Sequence, residues 1–137
     1  MVEITAELTE GTRVSLNNGR HTWPSDEPFE NGGEDTGPNP WEMLLGSLAA
    51  CTLITLVLYT RHKGIELEGV SARYTHEKVP APEGQAGLVD RLTSYVTIKG
   101  EYDEPIRKRL EQIVGRCPVH KTIENGAHVV DEVEFVA

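Results

Sequence analysis

GPNPWEMLLGSLAACTLITLVLYTRHKG, residues Gly37 to Gly64, decides whether this chain is built around one buried helix or sends that helix across a membrane. Its ends are legible. Pro38 and Pro40 fit at or before a first helical turn, where a missing N–H costs nothing, and Glu42 suits the positive end of the helix dipole. Gly64, following Arg61, His62 and Lys63, reads as a C-cap. Between them Met43, Leu44, Leu45, Leu48, Leu53, Ile54, Leu56, Val57, Leu58 and Tyr59 leave only Gly46, Ser47, Thr52 and Thr55 as relief. A helix apolar all round must be buried all round.

Length argues for burial in protein. From Met43 to Tyr59 a helix spans roughly 25 Å, short of the ~30 Å hydrocarbon layer, and the run includes Gly, Ser and two Thr. We therefore expect a central helix wrapped by sheet or by a partner subunit, and no membrane association. The 137 residues suit a single domain, 1–137, with a core of its own, and 38% hydrophobic content supports a globular fold. A formal net charge of −9 with scattered basic residues argues against nucleic acid as a partner. The opening MVEITAELTE carries acidic charge and no apolar signal core, so a cytoplasmic location is expected, where two cysteines are not presumed bonded.

Outward from the helix, Val2, Ile4, Ala6 and Leu8 alternate with polar residues and Val14 and Leu16 resume after Glu10-Gly11, the pattern of a hairpin. Residues 17–40 open with a turn signal, allow a short strand around His21 to Trp23, and become a Gly/Pro/acid-rich loop. Glu66 to His76 and Leu88 to Lys99 read as neighbouring antiparallel strands, with VPAPEGQAG as the turn or mobile loop between them. Ile106, Leu110, Ile113 and Val114 fall at helical spacing, with Asp103 as N-cap and Pro105 in the first turn. Pro118 to Asn125 reads as a further helical stretch that Gly126 ends, before a closing strand from His128 to Val136.

Two thiols carry the candidate chemistry. Cys51 sits inside the apolar helix, where a cysteine commonly serves as a small hydrophobe. Cys117 precedes Pro118, so it lies near the N-terminus of a new helix, whose positive dipole end lowers a thiol pKa. The same two residues are equally at home as inert packing, and position does not separate the readings.

GPNPWEMLLGSLAAC, followed by RCPVHK, resembles the OsmC/Ohr superfamily of osmotically inducible and organic hydroperoxide resistance proteins. HTWPSDEP, NGG and GPNPWE resemble its OsmC-like branch more than its Ohr branch. The resemblance implies an α+β, OsmC-like fold with antiparallel sheets around a long buried central helix, in an intertwined homodimer. It implies a thiol peroxidase acting on organic hydroperoxides in oxidative or osmotic stress, with no metal or organic cofactor. Cys51, in LGSLAACT, matches the attacking cysteine, and Cys117, in RCPV, matches the resolving one. The resulting disulfide is reopened by a dithiol reductant.

The family's activating Glu directly follows the Pro of its Asn-Pro motif. Here Trp41 holds that place and Glu42 comes one residue later. At ~100° per residue, positions 42 and 51 lie about 180° apart, so Glu42 is either a catalytic carboxylate aimed by a distorted turn or a dipole-matched first-turn residue. Arg20 is the best candidate for the activating cation, since Asn18 and Gly19 let the backbone turn sharply, while Arg13 and Arg61 stay open. His21, Asp26 and Glu27 match the branch's His and Asp-Glu-Pro pattern, and either shape the pocket or simply form the loop. Trp23, Phe29 and Trp41 either cover the thiol and favour an organic substrate or pack a core. The rival function is a dimeric small-molecule binding protein of the same fold with passive thiols.

Overall fold

Hydrogen bonding at its two ends explains why helix α1 occupies Pro40–Lys63 in the computed structural model, which describes residues 1–137. Asn39 Oδ1 accepts the Glu42 N–H at 2.9 Å, and Glu42 Oε1 accepts the Asn39 N–H at 3.1 Å. This capping box satisfies two of the donors that a helix start leaves over. At the far end Gly64 adopts φ 67°, and the N–H groups of Gly64 and Ile65 reach the carbonyls of Arg61 at 3.3 Å and Thr60 at 2.9 Å. The pair forms a Schellman motif, whose left-handed residue glycine supplies without a Cβ clash.

The chain forms two compact units, residues 1–46 with 74–93 and residues 47–73 with 94–137. In the first, β1 (Thr5–Glu10), β2 (Arg13–Asn17) and β3 (Thr22–Ser25) make an antiparallel meander. Ala6 stands opposite Leu16, Leu16 opposite Trp23 and Leu8 opposite Val14, so the alternating apolar residues share one face. β1 nevertheless remains exposed along its whole length.

The acidic loop after β3 is compact because it closes around one carboxylate. Asp26, only 3% exposed, accepts hydrogen bonds from the Thr12 hydroxyl, the Thr36 hydroxyl at 2.6 Å, and the N–H groups of Glu27, Glu34 and Thr36. Ser25 Oγ donates to the Pro38 carbonyl at 2.8 Å, and a single-turn helix spans Phe29–Asn31. Gly33 is required there: a Cβ would stand 1.9 Å from the Glu27 carbonyl oxygen.

In the second unit α1 contributes Leu48, Thr52, Leu56 and Thr60, a buried i, i+4 stripe. Leu56 packs with Leu110 and Ile113 of α2 (Glu104–Val114), and each buried leucine contributes roughly 1.5 to 3 kcal/mol. α2 starts at Asp103, whose side chain accepts the Ile106 N–H at 3.1 Å. Strands β4 (Gly69–Pro80) and β5 (Leu88–Lys99) pair in a second sheet, and Val70, Val96 and Ile98 pack on the same core.

Three features depart from the sequence reading. β4 runs four residues further than expected, to Pro80. The closing strand from His128 to Val136 does not form: residues 126–137 lack regular structure, and Val129, Val133 and Phe135 are exposed. A strand needs a neighbour for its N–H and C=O groups, and no strand of this chain pairs with it. The central helix, finally, is not covered all round, since Ile54 and Leu58 are 56% and 58% exposed. One chain supplies packing for a single stripe of it.

Candidate active site

α1 and the link between α2 and α3 (Pro118–Asn125) each bring one cysteine to the same place. Cys51 is half-buried on α1, Cys117 is wholly buried, and the two free thiols lie side by side within hydrogen-bonding reach. The start of α3 explains the arrangement. Cys117 is its N-cap, and its sulfur accepts the His120 N–H at 3.1 Å. Pro118, at the first position of α3, has no N–H to place.

Burial, first, and the adjoining Cys117 thiol, second, push the Cys51 thiol above its ordinary pKa. The Val119 N–H and the Thr55 hydroxyl pull the other way, because each favours the thiolate. Burial wins, so Cys51 rests as a thiol and needs further stabilisation to act as a nucleophile.

The remaining predicted residues fall in the first unit, apart from Arg61, which lies in the second. Arg20 and His21 stand exposed on the β2–β3 turn, where Asn18 Oδ1 accepts both their N–H groups, at 2.9 and 2.7 Å. Gly19 takes φ 93°, the sharp turn expected of it. Trp23 is a half-buried strand residue beside Leu16, Asp26 is enclosed by its loop, and the Glu27 backbone closes that loop through the Asp35 N–H at 3.0 Å. The Glu42 carboxylate is engaged by Asn39 in the capping box. Trp41 stacks on His76 at 3.9 Å between ring centroids, and His76 Nε2 lies 2.8 Å from Asp90 Oδ1, which also holds Lys78. Arg13 begins β2, and Arg61 is a last-turn charge of α1.

A family model described as OsmC-like protein matches residues 32–131, a stretch that includes the end of the loop, α1 and both cysteines. The chain belongs to the OsmC-like family. Its fold is shared with an OsmC-like protein from Mycoplasma pneumoniae, at 26% identity and a TM-score of 0.72, over 90% of this chain and 87% of that one. It is shared also with an organic hydroperoxide resistance protein OsmC from Legionella pneumophila, at 21% identity and TM-score 0.65, covering 90% and 88% of the two chains. The organic hydroperoxide resistance protein OhrB of Bacillus subtilis gives 21% and 0.59, covering 89% of each. No curated relative matches the chain.

Against this family background the sequence reading passed over two groups. Thr55 is four residues beyond Cys51 and so on the same helix face, a spacing readable in advance. The capping box was likewise written as Asn39-x-x-Glu42. The stack of Trp41 on His76 had no such signal, because it joins residues far apart in the chain.

Proposed function

We propose that this OsmC-like protein is a cysteine peroxidase that reduces organic hydroperoxides, with Cys51 attacking and Cys117 resolving. The observation that carries the reading is the adjacency of the two free thiols. The Cys51 thiolate attacks the terminal peroxide oxygen, the O–O bond breaks, and the alkoxide leaves as alcohol after taking a proton. The Cys117 sulfur then attacks the Cys51 sulfenic acid, an S–S bond forms and water departs. A dithiol supplies the two electrons and two protons that restore both thiols. Arg20 remains our candidate for the activating cation. Glu42 is a helix-capping group in this scheme, and no metal or organic cofactor is needed.

The working form is a homodimer in the cytoplasm. A second copy suits the exposed apolar face of α1 at Ile54 and Leu58, and the unpaired valine-rich residues 127–137. A second reading, a dimeric binding protein with passive thiols, is favoured by the burial that raises Cys51. Variant kinetics separate the two. Cys51→Ser should abolish consumption of cumene hydroperoxide, while Cys117→Ser should allow one turnover and leave a trappable sulfenic acid on Cys51. Equal consumption by wild type and Cys51→Ser would favour the passive reading.

A further inference from the structure

A disulfide opens at either of its two sulfurs, and access together with the stability of the departing thiolate decides which one is attacked. Cys117 is 0% exposed, whereas Cys51 is only half-buried on α1. Of the two residues, solvent touches Cys51 alone. The buried sulfur is also the one placed to leave. Cys117 is the N-cap of α3, and its Sγ already accepts the His120 N–H at 3.1 Å. A sulfur that departs with the electron pair is negative, and both that N–H and the positive end of the helix favour the charge. The His120 ring is engaged elsewhere, its Nε2 lying 2.8 Å from Glu124 Oε2, so this residue serves the sulfur through its backbone.

We propose that the reductant enters the Cys51–Cys117 disulfide at the Cys51 sulfur, and that Cys117 leaves as a thiolate held by the His120 N–H. The inference rests on the peroxidase reading, which joins the two sulfurs, and adds which of them meets the reductant. A thiolate of the dithiol attacks Cys51, a new S–S bond forms there, the bond to Cys117 breaks, and its electron pair goes to Cys117, which takes up a proton. The second thiolate of the dithiol then attacks its own sulfur in the mixed disulfide. Cys51 leaves with the electron pair and is protonated, and the reductant departs as a disulfide.

The test forms the disulfide with diamide, without peroxide, and opens it with 2-mercaptoethanol. Acid quenching at short times and peptide mapping then show which cysteine carries the adduct. Cys51 should carry it at least about tenfold more often than Cys117, and in denaturant, where burial is lost, the preference should fall to within about threefold. His120→Pro deletes the N–H at a first-turn position, where proline is tolerated, and should slow opening about tenfold with the adduct still on Cys51. Glu124→Gln, which disturbs only the partner of the His120 ring, should open as wild type. Adduct shared equally, or richer on Cys117, in the folded wild type would overturn the proposal, as would a tenfold preference that survives in denaturant. Opening of a folded His120→Pro at the wild-type rate, or equal slowing in Glu124→Gln, would overturn the role given to the N–H. Adduct on Cys117 would leave the peroxidase reading intact, whereas failure of diamide to join the two cysteines would overturn both.

Discussion

Replacing Glu42 by Gln separates a capping carboxylate from a catalytic one. In the structure Glu42 Oε1 accepts the Asn39 N–H at 3.1 Å, while Asn39 Oδ1 accepts the Glu42 N–H at 2.9 Å. Glutamine keeps the acceptor and loses only the charge at the positive helix end, a change of roughly 0.3 to 1 kcal/mol. For a chain of this size that lowers Tm by roughly 1 to 4 °C. Asn39→Ala removes the cap itself and should lower stability by about 1 kcal/mol, within a range of roughly 0.5 to 2. The double variant should lose less than the sum of the singles, because the two bonds are reciprocal. The assay is thermal melting at one fixed protein concentration, so that any assembly equilibrium is held constant. It is paired with the second-order rate of Cys51 oxidation by an organic hydroperoxide. Small melting shifts with a nearly unchanged oxidation rate are expected. A hundredfold fall in oxidation by Glu42→Gln at unchanged Tm would refute the reasoning, because it would mean that the carboxylate serves the sulfur rather than the cap.

The Asp26 carboxyl is held well below the usual carboxylate range, chiefly by the Thr12 hydroxyl and next by that of Thr36. A depressed folded pKa contributes stability that is complete above the unfolded value of about 3.9 and drains away as pH falls below it. Asp26→Asn should therefore flatten the acid limb of the stability curve, and a limb as steep as wild type would contradict this. Leu58→Glu puts a charge on the exposed apolar face of α1 and should shift a dimer to monomer in sedimentation at micromolar concentration. Unchanged sedimentation would show that another face makes the interface.

Local chemistry was the legible part of this chain. Pro40 and Gly64 bound α1, Asp103 and Cys117 cap α2 and α3, and the alternation at Ala6, Leu8, Val14 and Leu16 sets one face of the first sheet. Each depends on residues within a few positions, or within one hairpin, of each other. The reciprocal cap between Asn39 and Glu42 went unread although it spans only three residues, because Glu42 was weighed against Cys51, nine positions away, and not against its upstream neighbour. The valines at 129, 130 and 133 carry the β propensity of a strand, yet propensity supplies no neighbour to bond with, and they stay irregular in the single chain. The side-by-side thiols and the Trp41 stack depend on tertiary contacts that the motifs alone do not spell out.

The most direct test of the central claim is the mass of the reduced protein after one equivalent of cumene hydroperoxide, followed by peptide mapping. A Cys51 thiolate resolved by the adjacent Cys117 predicts loss of two hydrogens and a single new peptide joining the two cysteines. An unchanged mass, or oxygen added without a bond between Cys51 and Cys117, would contradict it.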